Sequence, residues 1–170
     1  KALNSFSEKN NPRQVSRILL KIGQIYFLQN RAGEARKHLL RALELNKSVK
    51  NNFDESQTLF ILARIETAEG KTAEALRLAE RSIELTENLS SDVLNTKLKS
   101  NFFSSVYDRY ELYINLLMRL HRERPDAHYA LRALRAAEKS RARVLLENLS
   151  LSQGDFTKDV GPENIRPEKE

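Results

Sequence analysis

The sequence contains no cysteine and no tryptophan, and only five glycines and four prolines stand among its 170 residues. Without cysteine the chain forms no disulfide, no thiolate metal site and no cysteine nucleophile, although this leaves the redox compartment open. The scarcity of glycine and proline leaves long stretches free of the residues that most often interrupt a helix. Few glycines and prolines, with charged residues at 31% of the chain, suit a helical protein.

The sequence also lacks any apolar run near the roughly 18 residues that a membrane-spanning helix needs, and it shows no signal-like start. We therefore expect no membrane partner and a cytoplasmic location. His38, His121 and His128 are scattered without metal-ligand spacing, and no phosphate-binding, dinucleotide-binding or hydrolase motif is present. The expectation is a protein without metal or cofactor that is not itself an enzyme.

Charge is abundant but not strongly one-sided, because charged residues make up 31% of the chain and the net charge is +6. A basic balance permits an acidic protein partner or nucleic acid. No stacking aromatics interleave the basic residues as single-strand binding requires, so nucleic acid is an unlikely partner. A solvated repeat surface is the preferred interpretation, and binding of nucleic acid or a nucleoprotein is the alternative function.

One helical-hairpin pattern occurs twice, forty positions apart. Each copy has large residues spaced for one face of a first helix, followed by small residues spaced +4 and +7 on a second helix. The first copy consists of Leu19, Ile22, Gly23 and Tyr26 with Ala35, Leu39 and Ala42, and the second of Leu59, Leu62, Ala63 and Glu66 with Ala75, Ala79 and Ser82.

These positions resemble the tetratricopeptide repeat (TPR), in which small residues of the second helix allow close packing on the first. The resemblance implies an all-α, right-handed α-solenoid of TPR hairpins. The hairpins are predicted at 13–49 and 54–88, and residues 1–8 are predicted to end a helix of a preceding repeat. Neither copy has the proline that usually closes the repeat.

A third, elongated hairpin is predicted at 92–149. Its first helix follows an apolar stripe from Leu94 to Leu120 that no glycine or proline interrupts, and its second helix carries small-residue spacing at Ala130, Leu134 and Ala137. Residues 151–170 contain two glycines, two prolines and many charges, and they are predicted to be a linker or disordered tail.

The resemblance implies that exposed positions of the first helices line a concave, protein-binding face. Leu20, Phe60 and Ile61 would be its apolar anchors and its cations would meet carboxylates, so the expected partner is a protein or peptide. Alternatively, a neighbouring helix covers Phe60 and Ile61. The predicted binding residues are Arg17, Leu20, Lys21, Gln24, Gln57, Phe60, Ile61 and Arg64.

Two segments, 102–121 and 136–149, resemble the region that joins TPR arrays to a caspase-like CHAT protease domain in bacterial proteins. The hallmark is matched by Glu138, Arg141, Ala142, Arg143, Leu145 and Leu146. The resemblance implies an interaction scaffold that would regulate a downstream protease domain, which this chain does not contain. The apolar exit of the last helix is predicted to dock that domain, or to form a homodimer, through Arg141, Arg143, Val144, Leu145 and Leu149.

Overall fold

The computed structural model describes residues 11–89, 96–125 and 128–159, with side chains described at 11–88, 106–125 and 128–145. The predicted segment 1–8 lies outside the described residues. All secondary structure in the described part of the chain is helical. The helices are α1 (Pro12–Leu28), α2 (Ala32–Ser48), α3 (Asn52–Ala68), α4 (Thr72–Leu89), α5 (Thr96–Glu123) and α6 (Tyr129–Asp159).

The first three turns between helices have the same construction. In each, a backbone N–H bonds back to the carbonyl five residues earlier, and the residue just before that N–H adopts a positive φ. Gly70 takes this conformation at 76° without strain, whereas Asn30 and Lys50 hold it as side-chain-bearing residues. The bonds run from Arg31 to Tyr26, from Asn51 to Asn46 and from Lys71 to Glu66, each at 2.9 Å.

Consecutive helices pack as the hairpins α1–α2, α3–α4 and α5–α6, and the hairpins stack through α2 on α3 and α4 on α5. The first helices also lie side by side, because α1 contacts α3 and α3 contacts α5. This nearest-neighbour arrangement is that of a helical-repeat solenoid. The prediction of an all-α solenoid of helical hairpins is confirmed.

Small residues lie where the helices of a hairpin cross. Ala35, Ala42, Ala75 and Ala79 are all fully buried, as the repeated spacing predicts. The third hairpin uses a different set: Ala133, Ala136 and Ser140 are buried, while Leu134 is 57% exposed. The predicted crossing at Ala130, Leu134 and Ala137 is therefore wrong. The alanine-rich helix offers more than one small-residue stripe, and packing selects the stripe without a leucine.

The predicted end of the last helix at Leu149 is also wrong, since α6 continues to Asp159 and makes residues 151–159 helical rather than linker. Gly154 lies within this extension, where a glycine costs only about 1 kcal/mol relative to alanine and does not by itself end a helix. Residues 160–170 lie outside the described residues. None of the described helices is long and apolar enough to cross a membrane.

Candidate functional site: a groove across the first helices

The exposed sides of α1 and α3 enclose a cavity of about 230 Å³, which a residue of α5 also reaches. It lies on the face where the three first helices are neighbours. We call it the first-helix groove. Its lining residues are Gln24, Phe27, Leu28, Gln57, Phe60, Ile61, Arg64 and Arg109.

Two phenylalanines and one exposed arginine form the centre of the groove. The guanidinium carbon of Arg64 lies 4.8 Å from the ring centre of Phe27 and 5.8 Å from that of Phe60. Stacking on aromatic faces holds a guanidinium in place while its N–H groups stay available to a ligand. The groove thus presents an apolar floor with a positioned cation, and no residue of its lining is acidic.

The guanidinium of Arg109 approaches the ring of Phe60 from the interior of the protein. Arg109 is only 2% exposed, and its guanidinium carbon lies 5.2 Å from the ring centre of Phe60. Its Nε donates to Ser82 Oγ at 3.0 Å, and that hydroxyl donates to the Ser56 carbonyl at 2.7 Å. Burial lowers the pKa of Arg109 to about 10, opposed by nearby Asp108, so Arg109 stays cationic at neutral pH.

A second depression, of about 340 Å³, adjoins the groove along α5. It shares Phe60 and Arg64 with the first-helix groove, but Asp108 and Glu111 also line it. The surface therefore changes from cationic to acidic along one direction. A segment lying across both depressions would meet positive charge over α1 and α3 and negative charge over α5.

Residues 14–88 match the tetratricopeptide-repeat family. The match spans both copies of the repeated hairpin and supports a TPR array there. TPR repeats generally mediate protein–protein interaction. No curated protein matches the sequence.

The structure places five of the eight predicted binding residues in the groove lining: Gln24, Gln57, Phe60, Ile61 and Arg64. Ile61 contributes little surface because it is only 5% exposed. Leu20 is 1% exposed, so its prediction as an exposed anchor is wrong. It belongs to a buried cluster that also contains Ile61, Leu62 and Ile65 of α3, so the stacking of the second hairpin covers it.

The other two predicted cations do not line the groove. Arg17 donates from Nε to the buried carboxylate of Asp54 at 3.4 Å, which ties α1 to α3. Lys21 is exposed one turn further along α1. Sequence reasoning missed Phe27, Leu28 and Arg109. Extending the α1 pattern by one further turn would have included Phe27 and Leu28, whereas no sequence signal placed Arg109 beside Phe60.

Another cavity, of about 300 Å³, separates α4 from α6 above two tyrosines of α5. Glu80 accepts from the hydroxyl of Tyr113 at 3.0 Å and from Arg132 at 2.9 Å. Glu87 accepts from the hydroxyl of Tyr110 and lies 3.9 Å from the Lys139 ammonium. The charged side chains of α4 and α6 that line this cavity thus pair with each other and connect the two helices. Because those charges are already paired, the cavity is a weaker candidate for a ligand site.

The residues predicted to dock a downstream domain lie along α6. Val144 is 41% and Leu145 63% exposed, and the Arg141 side chain is 72% exposed in an ion pair with Glu138 at 3.2 Å. Arg143 is half-buried. Leu149 lies among the residues whose side chains the structure does not describe.

Proposed function

We propose that this chain is a protein-interaction scaffold whose first-helix groove binds an extended or helical segment carrying a carboxylate next to large apolar side chains. The observation that supports this most directly is Arg64, held between Phe27 and Phe60 in a groove lining without an acidic residue. Aromatic and arginine side chains are the types that most often dominate the energetics of protein interfaces.

The charges of the groove support a carboxylate rather than a purely apolar ligand. Arg109 adds positive charge beneath Phe60, and Arg64 keeps its N–H donors at the surface. A carboxylate placed over Phe60 would gain charge-assisted hydrogen bonds from Arg64 while its neighbours cover the rings. Gln24 and Gln57 supply neutral hydrogen-bonding groups at the margin, which suits recognition of a peptide backbone.

Selection from a random-peptide library on the immobilised chain tests this proposal. We expect the enriched peptides to contain Asp or Glu beside a large apolar residue, and Arg64→Glu to weaken their binding at least about tenfold, because it replaces an attraction by a repulsion. Affinity is measured by fluorescence polarisation with labelled peptides. Circular dichroism checks that the variant retains its helix content.

The matched control is Arg77→Glu, which reverses an exposed arginine of α4 outside the groove. It should leave peptide affinity unchanged. Equal affinities for the original chain, Arg64→Glu and Phe60→Ala would sink the proposal. Saturable, strongly salt-dependent binding of unrelated oligonucleotides, also weakened by Arg64→Glu, would instead support the alternative of a nucleic-acid surface.

A finer proposal rests on the resemblance of 102–121 and 136–149 to CHAT-associated segments. In it, occupancy of the groove is transmitted to a downstream caspase-like domain of a bacterial, cytoplasmic parent protein. The exposure of Val144, which lies outside the stripe of residues 134, 138, 141 and 145, supports a contact on α6. Fusing the chain to its native downstream sequence and measuring peptide-dependent proteolysis would test it, and proteolysis indifferent to groove peptides would argue against it.

A further inference from the structure

Two sides of α6 are occupied within the chain. One side faces α4, where Arg132 pairs with Glu80 and Ala136 packs in one cluster with Ile83. The next side faces α5, where Ala133 packs among the leucines of the cluster formed with Leu116, Leu117 and Leu120. These contacts fix the rotation of α6 about its own axis.

The third side of α6 is exposed and carries Leu134, Glu138, Arg141 and Leu145, which we call the outer stripe. Leu134 is 57% and Leu145 63% exposed, and the charged side chains between them are similarly open. The four residues are spaced four, three and four apart, so they complete three turns in eleven residues. That period is close to the 3.6 residues of an α-helix, so the stripe runs nearly straight along α6.

The corresponding side of α4 is a helix-binding surface. Aligning Ala133 with Ala75 and Ser140 with Ser82, the small residues that face each hairpin's own first helix, places Leu134 at the position of Leu76. On α4 this side packs against α5. Leu76 shares a cluster with leucines of α5, and Glu80 and Glu87 accept hydrogen bonds from two tyrosine hydroxyls of α5. The outer stripe thus corresponds in position to the side of α4 that packs against the next helix.

The stripe is also complementary to itself. A twofold axis through its midpoint, perpendicular to α6, places Leu134 opposite Leu145 of another copy and Glu138 opposite Arg141 of that copy. Two antiparallel stripes would join apolar ends to apolar ends and carboxylates to guanidiniums at the centre. Antiparallel packing is also the direction in which α4 receives α5, as successive elements of an up-and-down array.

We propose that the outer stripe binds a second copy of the chain, forming a twofold dimer through antiparallel α6 helices. The contact is isologous, so it closes at two copies and does not propagate. It is independent of the first-helix groove, which lies on α1 and α3. Each groove would stay open in the dimer, and the scaffold would present two of them.

Charge reversal tests the pairing. Sedimentation velocity of the original chain should show a concentration-dependent monomer–dimer equilibrium. Glu138→Arg makes the stripe wholly cationic and Arg141→Glu makes it wholly acidic, so each variant alone should be monomeric at concentrations where the original chain is dimeric. Mixing the two variants in equal amounts should restore dimers, because cationic and acidic stripes then face each other.

The mixing experiment separates the interface from local effects. Neither variant regains its own Glu138–Arg141 ion pair on mixing, so a loss caused by weakened α6 helicity would not be rescued. Glu44→Arg is the matched control, because it breaks the exposed Arg41–Glu44 pair of α2 with the same spacing, and it should leave the dimer intact. A chain that is monomeric at every concentration overturns the proposal and leaves the stripe to another helix. Dimers indifferent to both reversals, or a mixture that stays monomeric, overturn it equally.

Discussion

At the scale of single residues, the two repeat copies fill the same helix crossing with different pairs of residues. In the first hairpin Gly23 lies against Leu39, and a Cβ added to Gly23 would meet the Leu39 side chain at 2.6 Å. Forty residues on, the corresponding pair is Ala63 and Ala79, both fully buried. The first crossing thus combines a glycine with a leucine and the second combines two alanines, so each crossing keeps a small residue on its first helix.

Replacing Gly23 by alanine should therefore destabilise the chain, by about 1–3 kcal/mol, since Leu39 has to shift out of a packed position. The better helix propensity of alanine offsets part of this loss, by up to about 1 kcal/mol. Urea unfolding followed by circular dichroism measures the difference in the free energy of unfolding.

The double change Gly23→Ala with Leu39→Ala supplies the control. Removing the Leu39 side chain alone costs stability by leaving a cavity. In that background, adding Gly23→Ala should cost nothing or stabilise, because the obstructing atoms are gone and only the helix-propensity gain is left. Equal effects of Gly23→Ala in both backgrounds would mean that the Leu39 contact does not limit this position.

At the scale of elements, each second helix presents three sides, and small residues mark the side that meets its own first helix. Ala75 on α4 is fully buried at such a crossing, while Ala73, two residues earlier, is exposed. The same helix therefore provides an overpacking site and its own control. Alanine content by itself does not distinguish the two positions, but the forty-residue repeat does, because Ala35 occupies the place of Ala75 in α2.

Ala75→Leu should lower the free energy of unfolding by roughly 1–3 kcal/mol, because the added atoms force α4 away from α3. Ala73→Leu should change it by less than about 0.5 kcal/mol, as is usual for an exposed helix position. Thermal and urea unfolding of both variants measure these values. An unchanged free energy of unfolding in Ala75→Leu would show that α3 and α4 move apart at this crossing at little cost.

At the scale of the whole molecule, polar bridges connect one hairpin to the next. Arg36 of α2 donates to Glu66 of α3 at 2.8 Å, and Arg109 of α5 reaches Ser82 of α4. The buried Tyr110 hydroxyl donates to Glu87, again from α5 to α4. Since the third hairpin meets the second largely through α4 and α5, the protonation of Tyr110 affects how firmly the two are joined.

Alkaline pH should weaken this junction. Burial and then the bond to Glu87 raise the pKa of Tyr110 above its ordinary value of 10.0. The folded state therefore favours the protonated phenol, so its contribution is complete below about pH 10 and is lost as the pH rises from there through the higher folded pKa. The thermal midpoint, measured from about pH 9 to pH 12, should fall less steeply in Tyr110→Phe.

Tyr107→Phe is the control, because Tyr107 is 54% exposed on the same helix, and it should keep the slope of the original chain. Arg109, with its pKa lowered to about 10, titrates in all three proteins. The difference between the Tyr110→Phe curve and the others therefore isolates the tyrosine. Identical slopes for all three would show that ionisation of Tyr110 is not coupled to folding.

The sequence by itself determined the helical class, the repeated hairpin at α1–α4 and the burial of Ala35 and Ala75, because a local period of apolar and small residues carries that information. It also indicated much of the groove, since neighbouring turns of α3 place Gln57, Phe60 and Arg64 on one side. Local periodicity, however, does not say which of two adjacent stripes a neighbouring helix will cover.

Only the tertiary structure decided those contacts. It buried Leu20, and it brought Arg109 beneath Phe60 from a helix far along the chain. On α6 it selected Ala133 rather than Leu134 as the crossing residue, which exposed the outer stripe. The physical reason is common to all of them: the rotation of each helix is set by the volume and charge of its neighbours, and those neighbours are distant in sequence.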